Sequence, residues 1–413
     1  MARLGRDHDD AAVDAARLLR RLGFAVLAMA APALAIGTRR GLVIVVPIGM
    51  ALLLLASLLE TEGRAPFSRT WEGLRGPAGL LAGFIFFWAA LSLLWTPFPA
   101  EAAERLVNAL GFGLFGLLTA AALPERMRSS DLYLLPVGVG LAGIGALALT
   151  IWPMMSPSVA EFDRSLLDRG LLLLVLMAPM AVTWLVSRDR FVSAFLLVAV
   201  VTASLVLGNA QAALAAMILG ALVFAVATVN PPLGRMLSLA AMPGLVIAAP
   251  LIPFLLRPGA KLVLGSDHAR VNSVRTWARI VTDDPLRLIT GHGLDTAMRA
   301  KAAGLVPAQT PSGILFEVWY DLGFLGAGAL ALLLSRAILG ASRLHAGAAP
   351  GALMTLMVAF TLAVAGQGSI QAWWLIGLSV ACVMVFAVDH GQYRTRRPPS
   401  RIVAPRRRRI PAP

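Results

Sequence analysis

The sequence is dominated by long runs of apolar residues that short polar connections separate. The runs are roughly 17–22 residues long, which is the length of helix that crosses a hydrocarbon core of ~30 Å. Hydrophobic residues make up 58% of the 413 residues and charged residues only 14%, which is more apolar surface than a soluble protein covers. The sequence therefore predicts an all-α polytopic membrane protein.

We count twelve apolar segments and expect about 12 transmembrane helices. The predicted organisation is a cytoplasmic N-terminus (1–21), helices 1–9 (22–256), a large periplasmic loop (257–313), helices 10–12 (314–389) and a disordered, basic cytoplasmic tail (390–413). The predicted helices cover residues 22–37, 41–59, 77–95, 105–123, 131–153, 170–186, 191–208, 211–228, 236–256, 314–334, 351–366 and 371–389.

Arginine residues indicate which ends of these helices face the cytoplasm. The formal net charge is +14, and much of it lies before the first predicted helix and in the tail RTRRPPSRIVAPRRRR. Basic flanks favour the cytoplasmic side, and an even number of helices puts both termini there. Arg39 and Arg40, in the first outside turn, are an exception. The flanking position of the charges indicates membrane lipids, not nucleic acid, as their partners.

One connection, from Arg257 to about Pro311, is much longer than the others and strongly basic. Loops of this length with polar residues of their own are usually functional. Arginines outside a membrane can also pair with phospholipid headgroups or simply solvate a loop. The basic residues of this loop are Arg257, Lys261, Arg270, Arg275, Arg279, Arg287, Arg299 and Lys301.

The segment ARVNSVRTWARIV in this loop has the pattern of an amphipathic helix. Val271, Val274, Trp277 and Ile280–Val281 form an apolar stripe at steps of three and four residues. Arg275 and Arg279 lie four residues apart on a different face. Because guanidinium groups match phosphate oxygens bidentately, this face predicts a binding site for a diphosphate.

Two histidines, His268 and His292, fall on the predicted outer side. An imidazole is a common general base, so either residue is a candidate for proton transfer there. A structural hydrogen-bonding role is an equal alternative for both. The phrase GHGLD around His292 is not a dinucleotide fingerprint, because no strand precedes it and the third glycine is missing.

Glu317 is the most informative acidic residue. It lies just inside the predicted tenth helix, with Asp321 one turn further on. Ionisable groups at such a depth are costly and usually face a cavity or a partner. The alternative is that Glu317 reaches the interface beside Trp319.

No metal site is predicted. Asp283–Asp284 precede Pro285 and are typical of a helix end, and no ligand with suitable spacing accompanies them. The single cysteine, Cys382, lies in an apolar run and excludes a disulfide within the chain.

Several other polar residues are candidates for the wall of a pocket or for ordinary turns. Arg164 and Arg169 lie in EFDRSLLDRG before the sixth predicted helix, and Gln211 lies near the outer end of the eighth. Asp295 and Arg299 follow the glycines of GHGLD.

Short phrases in this order resemble the O-antigen ligase and O-antigen polymerase group of bacterial membrane glycosyltransferases. The phrases are WAALSLLWTPFP, DRGLLLLVL, AQAALAAMILG, DDPLRLITGHGLD and LFEVWYDLGFLGA. They are spread over the length of the chain, and a large outer loop precedes the last three predicted helices, as in that group.

The resemblance implies a fold similar to the GT-C class and a site at the outer face of the bacterial inner membrane. Its substrates would be a glycan on an undecaprenyl-diphosphate carrier and, as acceptor, a hydroxyl of lipid A–core or of another glycan. No metal, nucleotide sugar or other cofactor is implied. Arginines of the outer loops would hold the diphosphate, with Arg169 and Arg275 at the matching positions and Arg270 as an alternative to Arg275.

One position departs from the pattern of the ligases. They commonly carry a histidine shortly before the tenth helix, where this chain reads AQTPSG. The base of an inverting transfer would then be His292 or Glu317.

Three alternatives to a ligase stay open: a repeat-unit polymerase, a lipid-linked oligosaccharide transporter or flippase, and a non-catalytic partner in envelope-polysaccharide assembly. A flippase predicts ionisable residues at mid-membrane depth and interrupted helices in matching halves. The predicted helices are nearly free of charge and the polar residues collect outside, which favours chemistry at the outer face.

Overall fold

The computed structural model describes residues 2–38, 40–60, 66–155, 164–256, 258, 269–283, 286–368 and 371–393. Within these ranges the chain forms helices and turns and no strand. His268 and residues 394–413 of the predicted disordered tail lie outside the described residues.

In the first half of the chain the described residues form nine α-helices, and a π-helical turn (Val26–Ala30) joins the first two. Proline opens α5 and α6, where its missing N–H costs no hydrogen bond. The helices are α1 (Ala2–Ala25), α2 (Ala31–Gly37), α3 (Gly41–Leu59), α4 (Pro66–Arg75), α5 (Pro77–Ser92), α6 (Pro99–Ala121), α7 (Ser129–Leu132), α8 (Leu134–Met155) and α9 (Arg164–Ser187).

In the described residues of the second half, three apolar helices are followed by three short or polar ones of the predicted outer loop and then by three more apolar helices. The helices are α10 (Phe191–Leu207), α11 (Gln211–Val229), α12 (Pro231–Ala248), α13 (Ala269–Asp283), α14 (Arg287–Thr290), α15 (Thr296–Ala302), α16 (Ile314–Ala341), α17 (Ala349–Val364) and α18 (Ala372–His390).

Several of these helices are long and apolar enough to cross a membrane, as predicted. Among the described residues eight pass that test, or nine if the bent pair α4–α5 counts as one. The apolar helices α10 and α17 are shorter. Each of the twelve predicted segments coincides with a helix, and the number that span the membrane stays a prediction.

Helix α9 is the centre of the bundle. It packs against α2, α8, α10, α17 and α18, and side chains such as Leu174, Met177 and Trp184 are fully buried. The run LLLLVLMAPM is apolar on every face, which is typical of a helix with neighbours all round. At its N-terminal end, this rigid element carries Arg169.

Hydrogen bonds between distant loops define the two ends of the bundle. At one end the N–H of Met127 donates to the carbonyl of His390 (3.1 Å), and Arg188 donates to the carbonyl of Gly391 (2.7 Å). At the other end the Thr96 hydroxyl donates to the carbonyl of Leu294 (3.0 Å). Loops that the arginine pattern assigns to one side therefore lie together, and the orientation of the bundle in the membrane stays a prediction.

Helix α16 is broken at Gly323, where φ is 63° and ψ is −161°. This conformation favours glycine, and a Cβ there would lie 2.4 Å from the carbonyl oxygen of Ile289. The carbonyls that the break frees are satisfied by other segments. His292 N–H donates to Tyr320 (2.8 Å), and the Trp88 indole donates to Leu322 (2.9 Å). The break therefore attaches the GHGLD segment to the helix.

Candidate functional site

A cavity of about 280 Å³ lies where the N-terminal end of α9 meets the start of α16 and the segment before α18. It brings together Arg169 and Glu317, two residues that the sequence singles out for different reasons and that lie 148 positions apart. Its other polar walls come from Asp168, Ser312, Gln367, Gln371 and Trp373.

Arg169 contributes a half-buried cation to this cavity. Its guanidinium carbon lies 5.8 Å from the centre of the Trp373 ring, at cation–π distance. Gln371 fixes that ring, because its side-chain oxygen accepts a hydrogen bond from the indole N–H (2.7 Å). Within the described part of the chain, Arg169 makes no salt bridge. Its charge is available to an anion.

Glu317 lies in the first turn of α16 and is half-buried. No described residue donates a hydrogen bond to its carboxylate or forms a salt bridge with it. A partly buried carboxylate with no partner is costly to keep, so such groups usually serve a ligand or a reaction. Glu317 and Arg169 therefore line one cavity, and neither forms a salt bridge within the described residues.

The neighbouring segment Thr290–Gly304 is also polar, but its groups are satisfied. The buried carboxylate of Asp321 accepts hydrogen bonds from the N–H groups of Asp295 (3.0 Å) and Ala297 (2.7 Å). These groups lie at the N-terminus of α15, so Asp321 caps that helix from α16. The arrangement ties the segment to the half of α16 that carries Glu317.

Asp295, a predicted pocket residue, is buried in ion pairs instead. Only 3% of it is exposed, and it pairs with Arg105 of α6 and with Arg299, whose Nε lies 2.6 Å away. Arg299 also lies 3.7 Å from Glu101. The hydrogen bond to Asp295 raises the pKa of the Arg299 guanidinium. These ion pairs join α6 and α15 and leave Asp295 shielded from solvent.

His292 is held by the same break in α16. Its Nδ1 lies 3.1 Å from the carbonyl oxygen of Tyr320, and its ring stacks on the Tyr320 ring at 4.0 Å. A carbonyl only accepts, so Nδ1 is the donor. The imidazole lines a depression of about 20 Å³ beside Trp277 and Arg287, and it does not line the cavity that contains Arg169 and Glu317.

Gly291 allows this close approach. Its φ is 76°, and a Cβ there would lie 2.2 Å from the carbonyl oxygen of Asp321. The positive φ and the lack of space both require glycine. Gly293 has a φ of 105°, and a Cβ there would lie 2.6 Å from Thr96. Packing against α16 thus explains the first glycine of TGHG, and packing against Thr96 explains the second.

The amphipathic helix predicted in the outer loop is present as α13, and its apolar stripe is packed as expected. Val271 and Trp277 are buried, and Trp277 contacts Phe316 of α16 edge to face at 6.0 Å. Arg275 is half-buried and Arg279 exposed, and neither lines the cavity of Arg169 and Glu317. The side chains of Arg270 and Arg164 lie outside the described residues.

Gln211 lies at the exposed start of α11, where its side-chain amide is 3.5 Å from the Asn209 side-chain oxygen. This is a contact within a turn, away from the cavity. Across the residues that the structure describes, no three His, Cys, Asp or Glu side chains are grouped so as to hold a metal ion.

Sequence reasoning missed the residues of GQGSIQAWW that complete the cavity, namely Gln367, Gln371 and Trp373. The sequence did carry a signal for this part of the cavity, because two tryptophans and two glutamines lie together at the start of an apolar helix. Arg105 was also missed, because its partner Asp295 lies 190 residues away.

The sequence matches no family model and no curated protein. The function is therefore inferred from the chemistry of the cavity, which offers an anion-binding guanidinium, a proton-accepting carboxylate and a fixed aromatic ring.

Proposed function

We propose that this protein is a metal-independent, inverting membrane glycosyltransferase of the O-antigen ligase type. It would transfer a glycan from an undecaprenyl-diphosphate carrier to a hydroxyl of lipid A–core or of another glycan, at the periplasmic face of the bacterial inner membrane. The observation that carries the proposal is that Arg169 and Glu317, both without a salt bridge among the described residues, line one cavity.

Arg169 stabilises the leaving group in this proposal. Negative charge grows on the diphosphate as its bond to the anomeric carbon lengthens, and a preplaced guanidinium favours that change. The fork of N–H donors on arginine fits phosphate oxygens bidentately. Trp373 acts as a positioning residue, because its ring, fixed by Gln371, supports the guanidinium from one side.

Glu317 acts as the general base. The acceptor oxygen attacks the anomeric carbon and its proton passes to the Glu317 carboxylate, while the electron pair of the breaking C–O bond leaves with the diphosphate. A base must lie within reach of both the acceptor and the departing group. Glu317 lines the same cavity as Arg169, whereas His292 lines a different depression. This favours Glu317 over His292 as the base.

The broken helix α16 is also a feature of transporters, in which unwound helices bind substrate. Here the carbonyls near the break accept hydrogen bonds from His292, Gly293 and Trp88. The break thus serves to attach a loop, which favours a transferase over a flippase. A repeat-unit polymerase would use the same two residues with a different acceptor.

The test is envelope polysaccharide from a deletion strain complemented with wild type, Arg169→Ala or Glu317→Gln and separated on a gel. We expect long glycans to disappear on deletion and to return only with wild type, at equal expression of all three proteins. Loss of surface-linked glycan with accumulation of carrier-linked chains would identify a ligase, and single repeat units on the acceptor a polymerase. An unchanged glycan pattern in the deletion strain would contradict the proposal.

A further inference from the structure

A second, larger cavity of about 440 Å³ lies at the opposite end of the bundle, between α4, α5, α6, α16 and α18. Its walls are almost entirely apolar and include Ala82, Leu117, Leu333 and Phe386. Among the described residues that line it, Arg69, Thr70 and His390 are the only ones with polar or charged side chains. The cavity is therefore amphipathic, with a long apolar part and a small basic part.

The helix that borders the basic part has the geometry of an interfacial helix. Helix α4 meets α5 at an angle of 76°, so it does not continue the direction of that apolar helix. Phe67 and Trp71 lie on one face and are 58% and 55% exposed, while Arg75 lies over the Trp71 ring at 4.6 Å. Aromatic and basic residues in this arrangement are typical of the boundary between lipid tails and headgroups.

The apolar part of the cavity opens toward the lipid-facing surface of the bundle. Leu117 and Phe386 line it and are also 45% and 37% exposed. Neighbouring exposed residues of the same helices are apolar, such as Leu110 and Leu80. A molecule that enters from this side would therefore meet the apolar side chains of Leu117 and Phe386.

The basic part is held in place by backbone carbonyls. The Nη1 of Arg69 donates to the carbonyls of Ala121 and Leu123 at 3.3 and 3.4 Å. Its Nη2 lies 3.6 Å from Glu125, which is 87% exposed, and such a pair contributes little. His390 Nδ1 lies 2.8 Å from the carbonyl of Pro124. A guanidinium has five N–H donors, so Arg69 retains donors for a further anion.

We propose that this cavity binds one anionic phospholipid of the surrounding membrane, with an acyl chain among Ala82, Leu117 and Phe386 and the phosphate against Arg69. Charge complementarity identifies the occupant, because Arg69 lines the basic part and the loops at this end of the bundle carry further arginines that attract anionic headgroups. These further arginines are Arg126, Arg128, Arg188 and Arg190. The site does not depend on the proposed transferase activity and lies at the other end of the bundle from that site.

The test is native mass spectrometry of the full-length protein in detergent with added phosphatidylglycerol or phosphatidylcholine of identical acyl chains. We expect wild type to retain one phosphatidylglycerol with an affinity on the order of tenfold above that for phosphatidylcholine. Ala82→Phe fills the cavity and should abolish this adduct. Gly83→Phe is the matched control, because a side chain at Gly83 meets open space and Gly83 does not line the cavity.

Arg69→Gln tests the headgroup contact, with Arg75→Gln as its control outside the cavity. We expect Arg69→Gln to lower the affinity for phosphatidylglycerol to that for phosphatidylcholine, and Arg75→Gln to bind as wild type does. Equal retention of the two lipids by wild type would overturn the proposal. Retention of phosphatidylglycerol by Ala82→Phe at the wild-type level would also overturn the proposal. So would a dimer of wild-type chains that Ala82→Phe dissociates, because the cavity would then be an interface between two copies of the chain. If Arg69→Gln does not fold, the comparison of Ala82→Phe with Gly83→Phe still tests whether the lipid occupies the cavity.

Discussion

The GHGLD segment and the cavity of Arg169 and Glu317 lie at the same end of the molecule and are both rich in charge, yet they differ in how that charge is satisfied. Asp295 of the segment pairs with two arginines, and Asp321 of α16 accepts hydrogen bonds from the N–H groups of Asp295 and Ala297. In the cavity, neither Arg169 nor Glu317 has a salt bridge within the described residues. The charges of the GHGLD segment hold that segment against neighbouring helices, whereas the charges of the cavity remain available to a ligand.

The presence of ionisable residues in an apolar chain therefore does not by itself indicate where a reaction takes place. Satisfied groups stabilise a fold, whereas partly buried groups that lack partners cost stability and are kept for a ligand. By this criterion the GHGLD segment, which stands out in the sequence, is a scaffold. The proposed site lies beside it and includes Glu317 on α16, the helix to which the segment is attached.

The largest effect is expected for Glu317→Gln, which removes the proposed base and keeps its size. Glycan transfer should fall about 10²- to 10⁴-fold, which is the usual contribution of a general base, with little change in thermal unfolding. The measurement is the initial rate with purified protein and carrier-linked glycan. Glu104→Gln, at an exposed glutamate of α6, is the control and should retain the wild-type rate. Full activity of the Glu317→Gln variant would show that the Glu317 carboxylate is not the base.

Arg169→Ala should lower the rate of transfer by roughly 10²- to 10³-fold, since it removes a group that stabilises charge in the transition state. Arg279→Ala is the matched control, because Arg279 is exposed on α13 and lies outside the cavity. The same assay measures both. A slower transfer by Arg279→Ala than by Arg169→Ala would mean that the diphosphate binds to α13 and not at the start of α9.

Gly291→Ala should destabilise the scaffold by roughly 1–3 kcal/mol from backbone strain, with a further cost from the contact with Asp321. Gly304→Ala is a close control. Its φ of 73° is nearly the same, but a Cβ there meets open space. Thermal unfolding in detergent should show a clearly larger loss for Gly291→Ala. Equal losses would mean that the GHGLD segment is not tightly packed against α16.

His292→Ala is expected to have the smallest effect on chemistry. It removes a ring that stacks on Tyr320 and a hydrogen bond worth about 1 kcal/mol, so unfolding should occur at a lower temperature. The rate of transfer at a temperature where the protein is folded should change less than about tenfold, below the range expected for a base. A loss as large as that of Glu317→Gln would place His292 in the mechanism.

The helices and their apolar faces could be predicted because local pattern determines them. Each apolar segment became a helix, and Trp277 packs inward as its spacing in α13 indicates. The position of Glu317 in the first turn of α16 was also predictable, because the apolar run of that helix begins just before it.

The partners of the charged residues could not be predicted, because they depend on contacts between distant segments. Nothing near Asp295 in the sequence indicates Arg105, which is 190 residues away. The joint position of Arg169, Glu317 and Trp373 likewise requires α9, α16 and α18 to meet at one point. Only the folded chain distinguishes a satisfied carboxylate from one that is available.

The most direct test of the central claim is a structure of the full-length protein with bound undecaprenyl diphosphate, the product carrier. We predict that the diphosphate lies within hydrogen-bonding distance of the Arg169 guanidinium and that its distal phosphate points toward Glu317. A diphosphate bound against Arg275 and Arg279, with no density between Arg169 and Glu317, would contradict the account.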